Sequence, residues 1–102
     1  MTSILAKHDI LKLIREKPSL VEEYMDLEAQ VQPNGFDLTV REVALLETPG
    51  KIAVSNDQRV VSSLNQLNFD RSGFIDLMPG NYMLTFNEIV HIPRYLMALA
   101  TA

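Results

Sequence analysis

The stretch Gln32-Pro33-Asn34-Gly35-Phe36-Asp37-Leu38-Thr39-Val40 constrains this chain more than any other. Pro33 presets φ for the second position of a turn, and Asn34 and Gly35 both tolerate positive φ. The chain therefore turns here and then runs extended. Phe36, Leu38 and Val40 alternate with Asp37, Thr39 and Arg41. That period of two predicts a strand with one packed face and one face presenting an acid, a hydroxyl and a guanidinium. Aspartate is a poor strand former. Between Phe36 and Leu38 it needs solvent, a backbone donor, an arginine or a metal-bound water as its partner. Two roles stay open: an aspartate that supports the turn by accepting backbone hydrogen bonds, and a carboxylate that belongs to a site.

Length and composition limit the rest. A chain of 102 residues with 47% hydrophobic residues is expected to make one domain with a real core rather than a disordered chain. There is no cysteine, hence no disulfide framework and no thiolate metal site, in keeping with a cytoplasmic protein. The start, Met1 to Asp9, lacks the basic and apolar regions of a signal peptide. No apolar run approaches the roughly 18 residues of a membrane span. A net charge of −4 without a lysine or arginine cluster argues against nucleic acid as a partner. It leaves room for a nucleoside triphosphate held by a few placed cations and a divalent metal.

Along the chain, Ala6, Ile10, Leu13 and Ile14 fall at helical spacing, with Leu11 at the margin of the stripe. A helix is expected over about residues 6–17. Lys12, Arg15 and Lys17 suit its C-terminal end and Pro18 stops it. Ala6 is a weak cap, and Ser3 is the nearest better one. Leu20 to Val31 fits helix and strand templates equally. From residue 33 to 102 the signal is β. Phe36 to Leu46 reads as one strand, Thr48-Pro49-Gly50 as a turn and Lys51 to Val54 as its hairpin partner. Val60 to Leu67 is ambiguous. Phe74 to Leu77, Tyr82 to Phe86, Ile89 to Ile92 and Tyr95 to Ala100 read as strands, with a turn at Pro79-Gly80-Asn81. Strands recurring about every ten residues predict a mainly β fold, a sandwich or a folded barrel.

Several segments together resemble the dUTPase and dCTP deaminase superfamily, in its archaeal dUTPase-like branch. They are His8-Asp9-Ile10-Leu11 on the helix, the turn and strand from Gln32 to Val40, Pro79-Gly80-Asn81-Tyr82-Met83-Leu84, Asn87-Glu88-Ile89-Val90-His91-Ile92-Pro93 and Leu96-Met97-Ala98. The resemblance implies a β-barrel or β-clip portion with one N-terminal helix, matching the N-terminal half of that fold. It implies that the motif turn is Gln32, Pro33, Asn34 and Gly35, and that Asp37 supports an active site without being its general base. The catalytic residues are expected beyond Ala102, where the family carries an Arg-Ser-Ser motif and later an aspartate that activates water. The implied reaction is hydrolysis of dUTP to dUMP and pyrophosphate, with Mg²⁺ acting through the substrate phosphates rather than on ligands of this chain. This chain alone is then expected to be inactive. A homotrimeric assembly is implied as well. Two alternatives remain: a dCTP deaminase-related protein, and a non-catalytic β module for oligomerisation or partner binding.

Other residues carry less. His8 and His91 lack partners at metal-ligand spacing. Glu22, Glu23, Asp26 and Glu28 read as a solvated acidic face. Ser62-Ser63 has neither a neighbouring arginine nor a glycine-rich loop, and reads as neither nucleophile nor phosphate cradle. The five methionines read as packing.

Overall fold

The computed structural model describes residues 4–102. Two compact units divide them: residues up to Thr39 together with Phe86–Ala102, and Val40–Thr85.

The first unit is built on helix α1, Lys7–Arg15. Its start lacks a side-chain cap on Ala6, but the Asp9 carboxylate accepts the Ala6 N–H at 3.2 Å. That satisfies one of the N–H groups a helix leaves orphaned and sets a negative charge on the positive end of the dipole. Ser3, the nearest better cap in the sequence, lies outside the described residues. Lys12 and Arg15 occupy the last turn, and Glu16 is already extended. The helix thus stops two residues earlier than Pro18 alone would require. Ile10 and Ile14 are buried, as the stripe requires, with Leu11 and Leu13 packed beside them. They join Leu20, Val21 and Val31 in one apolar cluster that Leu5, Leu27 and Phe36 flank. Each such side chain contributes about 1.5–3 kcal/mol when fully buried. The Tyr24 and Phe36 rings pack tilted, 6.4 Å between centroids.

The ambiguous segment after Pro18 divides its signal. Strand β1, Val21–Glu22, pairs antiparallel with a strand from the far end of the chain, Val21 opposite Val90 and Glu22 opposite Ile89. One turn of helix follows, α2, Leu27–Gln30, capped by Asp26, whose carboxylate accepts the Ala29 N–H. Strands β2, Val31–Gln32, and β3, Gly35–Phe36, then form a hairpin closed by Pro33 and Asn34. Neither Asn34 nor Gly35 takes a positive φ; among the described residues only Glu23 and Gly73 do. The turn uses proline at its second position and glycine at its fourth, as an ordinary type I turn permits.

In the second unit, β4, Val40–Leu46, pairs antiparallel with β5, Leu64–Leu67, and β6, Tyr82–Phe86, lies on its other side. Val43 and Ala44 are buried. β4 was expected to begin at Phe36; residues 37–39 interrupt it. Its expected partner, Lys51 to Val54, is corrected as well: Lys51 bridges Val60, and the arm between them carries a short 3-10 turn at Asn56–Gln58. Strand β7, Ile89–Val90, belongs to the first unit and is the partner of β1.

Two expected strands do not form. Phe74 to Leu77 follows a turn in which Asp70 accepts the N–H groups of Ser72 and Phe74, and among the described residues it has no ladder partner. Tyr95 to Ala100 is irregular, with Met97 and Leu99 exposed. Both have strand-like composition, but a strand is defined by inter-strand hydrogen bonds, and among the described residues neither segment pairs with a neighbouring strand. The result is a mainly β chain with one main helix.

Candidate functional site

The proline-led hairpin positions Asp37. Its peptide N–H donates to the Gln30 carbonyl at 2.8 Å, so the hairpin ladder continues one step past β3. The side chain is exposed, and its Oδ2 accepts the Gln32 amide at 2.9 Å. The same amide nitrogen donates to the Ala29 carbonyl at 3.2 Å. Gln32 thus ties the carboxylate to α2 across the turn. Asn34, at the tip, donates to the Leu5 carbonyl at 3.1 Å. Among the described residues Asp37 Oδ1 receives no hydrogen bond, so one oxygen remains open to solvent or to a ligand. The turn-supporting role is therefore present, made through a side-chain amide rather than backbone N–H groups, and it leaves half the carboxylate unused.

Behind Asp37 lies a cluster that the sequence pattern did not reveal. Glu88 is 7% exposed, and hydrogen bonds converge on both of its oxygens. Oε1 accepts the Thr39 N–H at 2.8 Å, while Oε2 accepts the Thr39 hydroxyl at 2.6 Å and the Gln30 amide at 2.8 Å. Gln30, itself buried, uses its full capacity. Its Oε1 accepts the N–H groups of Met25 and Asp26, both at 2.8 Å, and its Nε2 reaches Glu88 and the Asp37 carbonyl. Asn87 completes the cluster. Its side-chain amide donates to Thr39 Oγ1 at 3.0 Å and its N–H to the Thr39 carbonyl at 2.9 Å. Burial pushes the Glu88 carboxyl up. The donors of Thr39, hydroxyl and N–H, then Gln30 and its own N–H outweigh that and hold it below the ordinary glutamate value.

The remaining candidates fall elsewhere. His91 Nε2 lies 3.2 Å from Glu22 Oε2, a half-exposed pair at the β1–β7 edge. His8 stands 3.4 Å from Asp9 on the solvated side of α1. Of the acidic face, Asp26 caps α2 and Glu22 meets His91, so it is a set of separate local contacts. Ser63 is engaged with Thr48 through hydroxyl and N–H. Among the described residues no group of three or more His, Asp or Glu side chains is arranged to hold a metal ion. No helix among them is long and apolar enough to cross a membrane. Two open concavities occur in the first unit, about 270 Å³ beside His91 and Tyr95 and about 520 Å³ beside Leu11 and Leu27, and neither is lined by Asp37 or Glu88.

A signal for Glu88 does exist in the sequence. It is a charged residue set in Thr85-Phe86-Asn87-Glu88-Ile89-Val90, between two apolar runs. Its partners lie 49 and 58 positions away, beyond any local pattern.

One main helix, short antiparallel strands and a carboxylate carried on a proline-led hairpin define a mainly β, dUTPase-like architecture. The chain belongs to the dCTP deaminase-like family, whose model matches residues 4–102. It is 40% identical over 98 residues to a protein of Methanosarcina mazei named a probable deoxyuridine 5'-triphosphate nucleotidohydrolase, covering 96% of this chain and 57% of that relative. Proteins of the same name from Methanococcoides burtonii and Archaeoglobus fulgidus are 36% and 37% identical over 98 residues, each covering 96% of this chain. The chain spans little more than half the length of these relatives, 58% and 56% for the last two. No solved structure matches it.

Proposed function

We propose that this chain is the N-terminal part of a deoxyuridine triphosphate nucleotidohydrolase domain, which hydrolyses dUTP to dUMP and pyrophosphate. The observation that carries the reading is the likeness across 96% of the chain to relatives bearing that name. The geometry of Asp37 supports it. An exposed carboxylate with one oxygen tied to Gln32 and the other free suits an active-site support residue. It does not suit a general base, which would need a substrate-facing pocket around it.

The catalytic aspartate and the phosphate-binding arginine and serines belong, on this reading, to segments that follow this one in the relatives. Two features favour that division. Neither of the two concavities described above includes Asp37, in keeping with a substrate site whose walls come in part from further chain. Large apolar side chains also stand open, among them Ile52, Val54, Phe74, Met78, Met97 and Leu99. Exposure on that scale suits surface that more chain or other subunits cover. It favours a homo-oligomer, read here as a homotrimer, in which the site is shared between subunits.

Mg²⁺ fits as a partner of the substrate. It is commonly held by one or two carboxylates together with substrate phosphates, and a lone free Asp37 oxygen can meet that demand through a metal-bound water. When bound it would neutralise charge on the triphosphate. What the chain's own residues supply is placement: Gln32 orients Asp37, and the hairpin fixes where that charge sits. The protein is read as cytoplasmic, where its nucleotide substrate occurs.

The test is pyrophosphate release from dUTP, with ammonia release from dCTP measured in parallel, by the relative-length polypeptide and by residues 1–102 alone. The expected result is dUTP hydrolysis by the longer protein and none by the short chain. Deamination of dCTP instead would move the reading to the deaminase side of the family. Full dUTP hydrolysis by residues 1–102 would refute the placement of the chemistry. A relative-length protein that assembles stably but acts on neither nucleotide would favour the interaction module.

A further inference from the structure

We propose that Glu88 is a positioning residue for the Asp37–Thr39 segment, holding it through Thr39 on one side and through Gln30 on the other. Its relevance to nucleotide binding rests on the reading above that Asp37 supports the substrate phosphates.

The directions of the hydrogen bonds carry the argument. Gln30 Oε1 already accepts two peptide N–H groups, so its NH₂ must face Glu88 and the Asp37 carbonyl. Reversing the amide would set donors against donors at both ends. Thr39 Oγ1 accepts the Asn87 amide, and its single proton goes to Glu88 at 2.6 Å rather than to the Met25 sulfur at 3.7 Å. Every group that approaches the Glu88 side chain is thus a donor. Only an ionised carboxylate, acceptor at both oxygens, completes the cluster.

The cluster pins both sides of Leu38. Ahead of it, Asp37 donates its N–H to the Gln30 carbonyl and accepts the Gln30 side chain. Behind it, Thr39 gives its N–H to Glu88 and its carbonyl accepts from Asn87. After the Asp37 N–H the strand ladder ends, and the Asp37 carbonyl and both peptide groups of Thr39 are bonded within this cluster instead. The residues around Glu88 are neutral: Gln30 from α2, Thr39 from the connection and Asn87 from its own turn. The nearest charge in the network is Asp37, whose carboxylate is bound to Gln32 and not to Glu88. Among the described residues no lysine, arginine or histidine forms an ion pair with Glu88.

The experiment is NMR on the isotope-labelled full-length protein, read against pH and against titration with Mg²⁺ and a non-hydrolysable imido analogue of dUTP. In the wild type, the Thr39 amide should follow one ionisation with a midpoint below the ordinary glutamate range. Glu88→Gln should abolish that titration, raise hydrogen exchange at Asp37 and Thr39 about tenfold relative to Ile14, and weaken the analogue by about tenfold. Thr39→Val probes the same contact should the first variant fail to fold. It should move the midpoint upward, and Thr39→Ser should restore it. A Thr39 amide indifferent to pH, or exchange unchanged in Glu88→Gln, overturns the proposal. A loosened segment with unchanged analogue affinity overturns the positioning role as well. A wild-type protein that binds no analogue refutes the nucleotide reading instead, while the titration and exchange results would still support Glu88 as the holder of the segment.

Discussion

Glu88 receives both the hydroxyl of Thr39, at 2.6 Å, and its N–H, at 2.8 Å, across 49 positions of sequence. A single buried side chain thereby holds the segment that follows β3. The same carboxylate takes the Gln30 amide, so the bend that carries Asp37 is fixed from two directions.

Removing that carboxylate without replacing its acceptors should be costly. Glu88→Leu leaves the Thr39 N–H, its hydroxyl and one Gln30 N–H without partners in a buried place. A loss of about 2–4 kcal/mol is expected, from urea denaturation at neutral pH. A change within the range of an ordinary surface substitution would contradict the network.

Acid should weaken the first unit through the same residue. Glu88 titrates below its ordinary value of 4.5 in the folded state, so the unfolded chain takes up the proton first as pH falls. Its contribution is complete above that ordinary value and disappears as pH drops through the lower, folded value. The urea midpoint of the wild type should fall over that window. Glu88→Gln should show a shallower fall, and parallel curves for the two proteins would count against the assignment.

Asp37→Asn separates charge from scaffolding. An asparagine oxygen can still accept the Gln32 amide, so stability should stay within about 0.5 kcal/mol. The negative charge is lost, and affinity of the relative-length protein for Mg²⁺ and the dUTP analogue should drop about tenfold, or about 1.4 kcal/mol. Isothermal titration read beside thermal melting distinguishes the two effects. A large loss of stability with unaltered affinity would make Asp37 a turn residue only.

Two glycines should respond oppositely to alanine. A Cβ at Gly50 would stand 2.8 Å from the Val60 carbonyl oxygen and 3.3 Å from Ser62 Oγ, against the Lys51–Val60 bridge. Gly50→Ala should therefore cost about 1–3 kcal/mol. A Cβ at Gly35 meets nothing within 4 Å and its φ is not positive, so Gly35→Ala should change stability by no more than about 0.5 kcal/mol. Differential scanning calorimetry of the two variants makes the comparison.

Local information was enough where one element decides its own conformation. The α1 stripe, the proline-led turn, the strand at Tyr82 to Phe86 and the exposed Asp37 all follow from periods and turn chemistry within a few residues. The resemblance in the order of motifs pointed to the family that the match over residues 4–102 establishes. What pattern reading could not supply was pairing. Lys51 to Val54, Phe74 to Leu77 and Tyr95 to Ala100 have strand-like composition. Composition does not tell which of them finds a neighbour.

The sequence by itself determined the mainly β character, the apolar face of the helix and the place where the chain turns, because backbone sterics and hydrophobic periodicity act over a few residues. Only the tertiary structure decided that β1 pairs with β7 and that Gln30, Thr39 and Glu88 meet. Those contacts join residues far apart in the chain: 49 positions for Thr39 and Glu88, 58 for Gln30 and Glu88, and 69 for Glu22 and His91 beside the β1–β7 pair. Their partners are chosen by which polar groups remain unsatisfied once the apolar cluster around Ile10 and Val31 has closed.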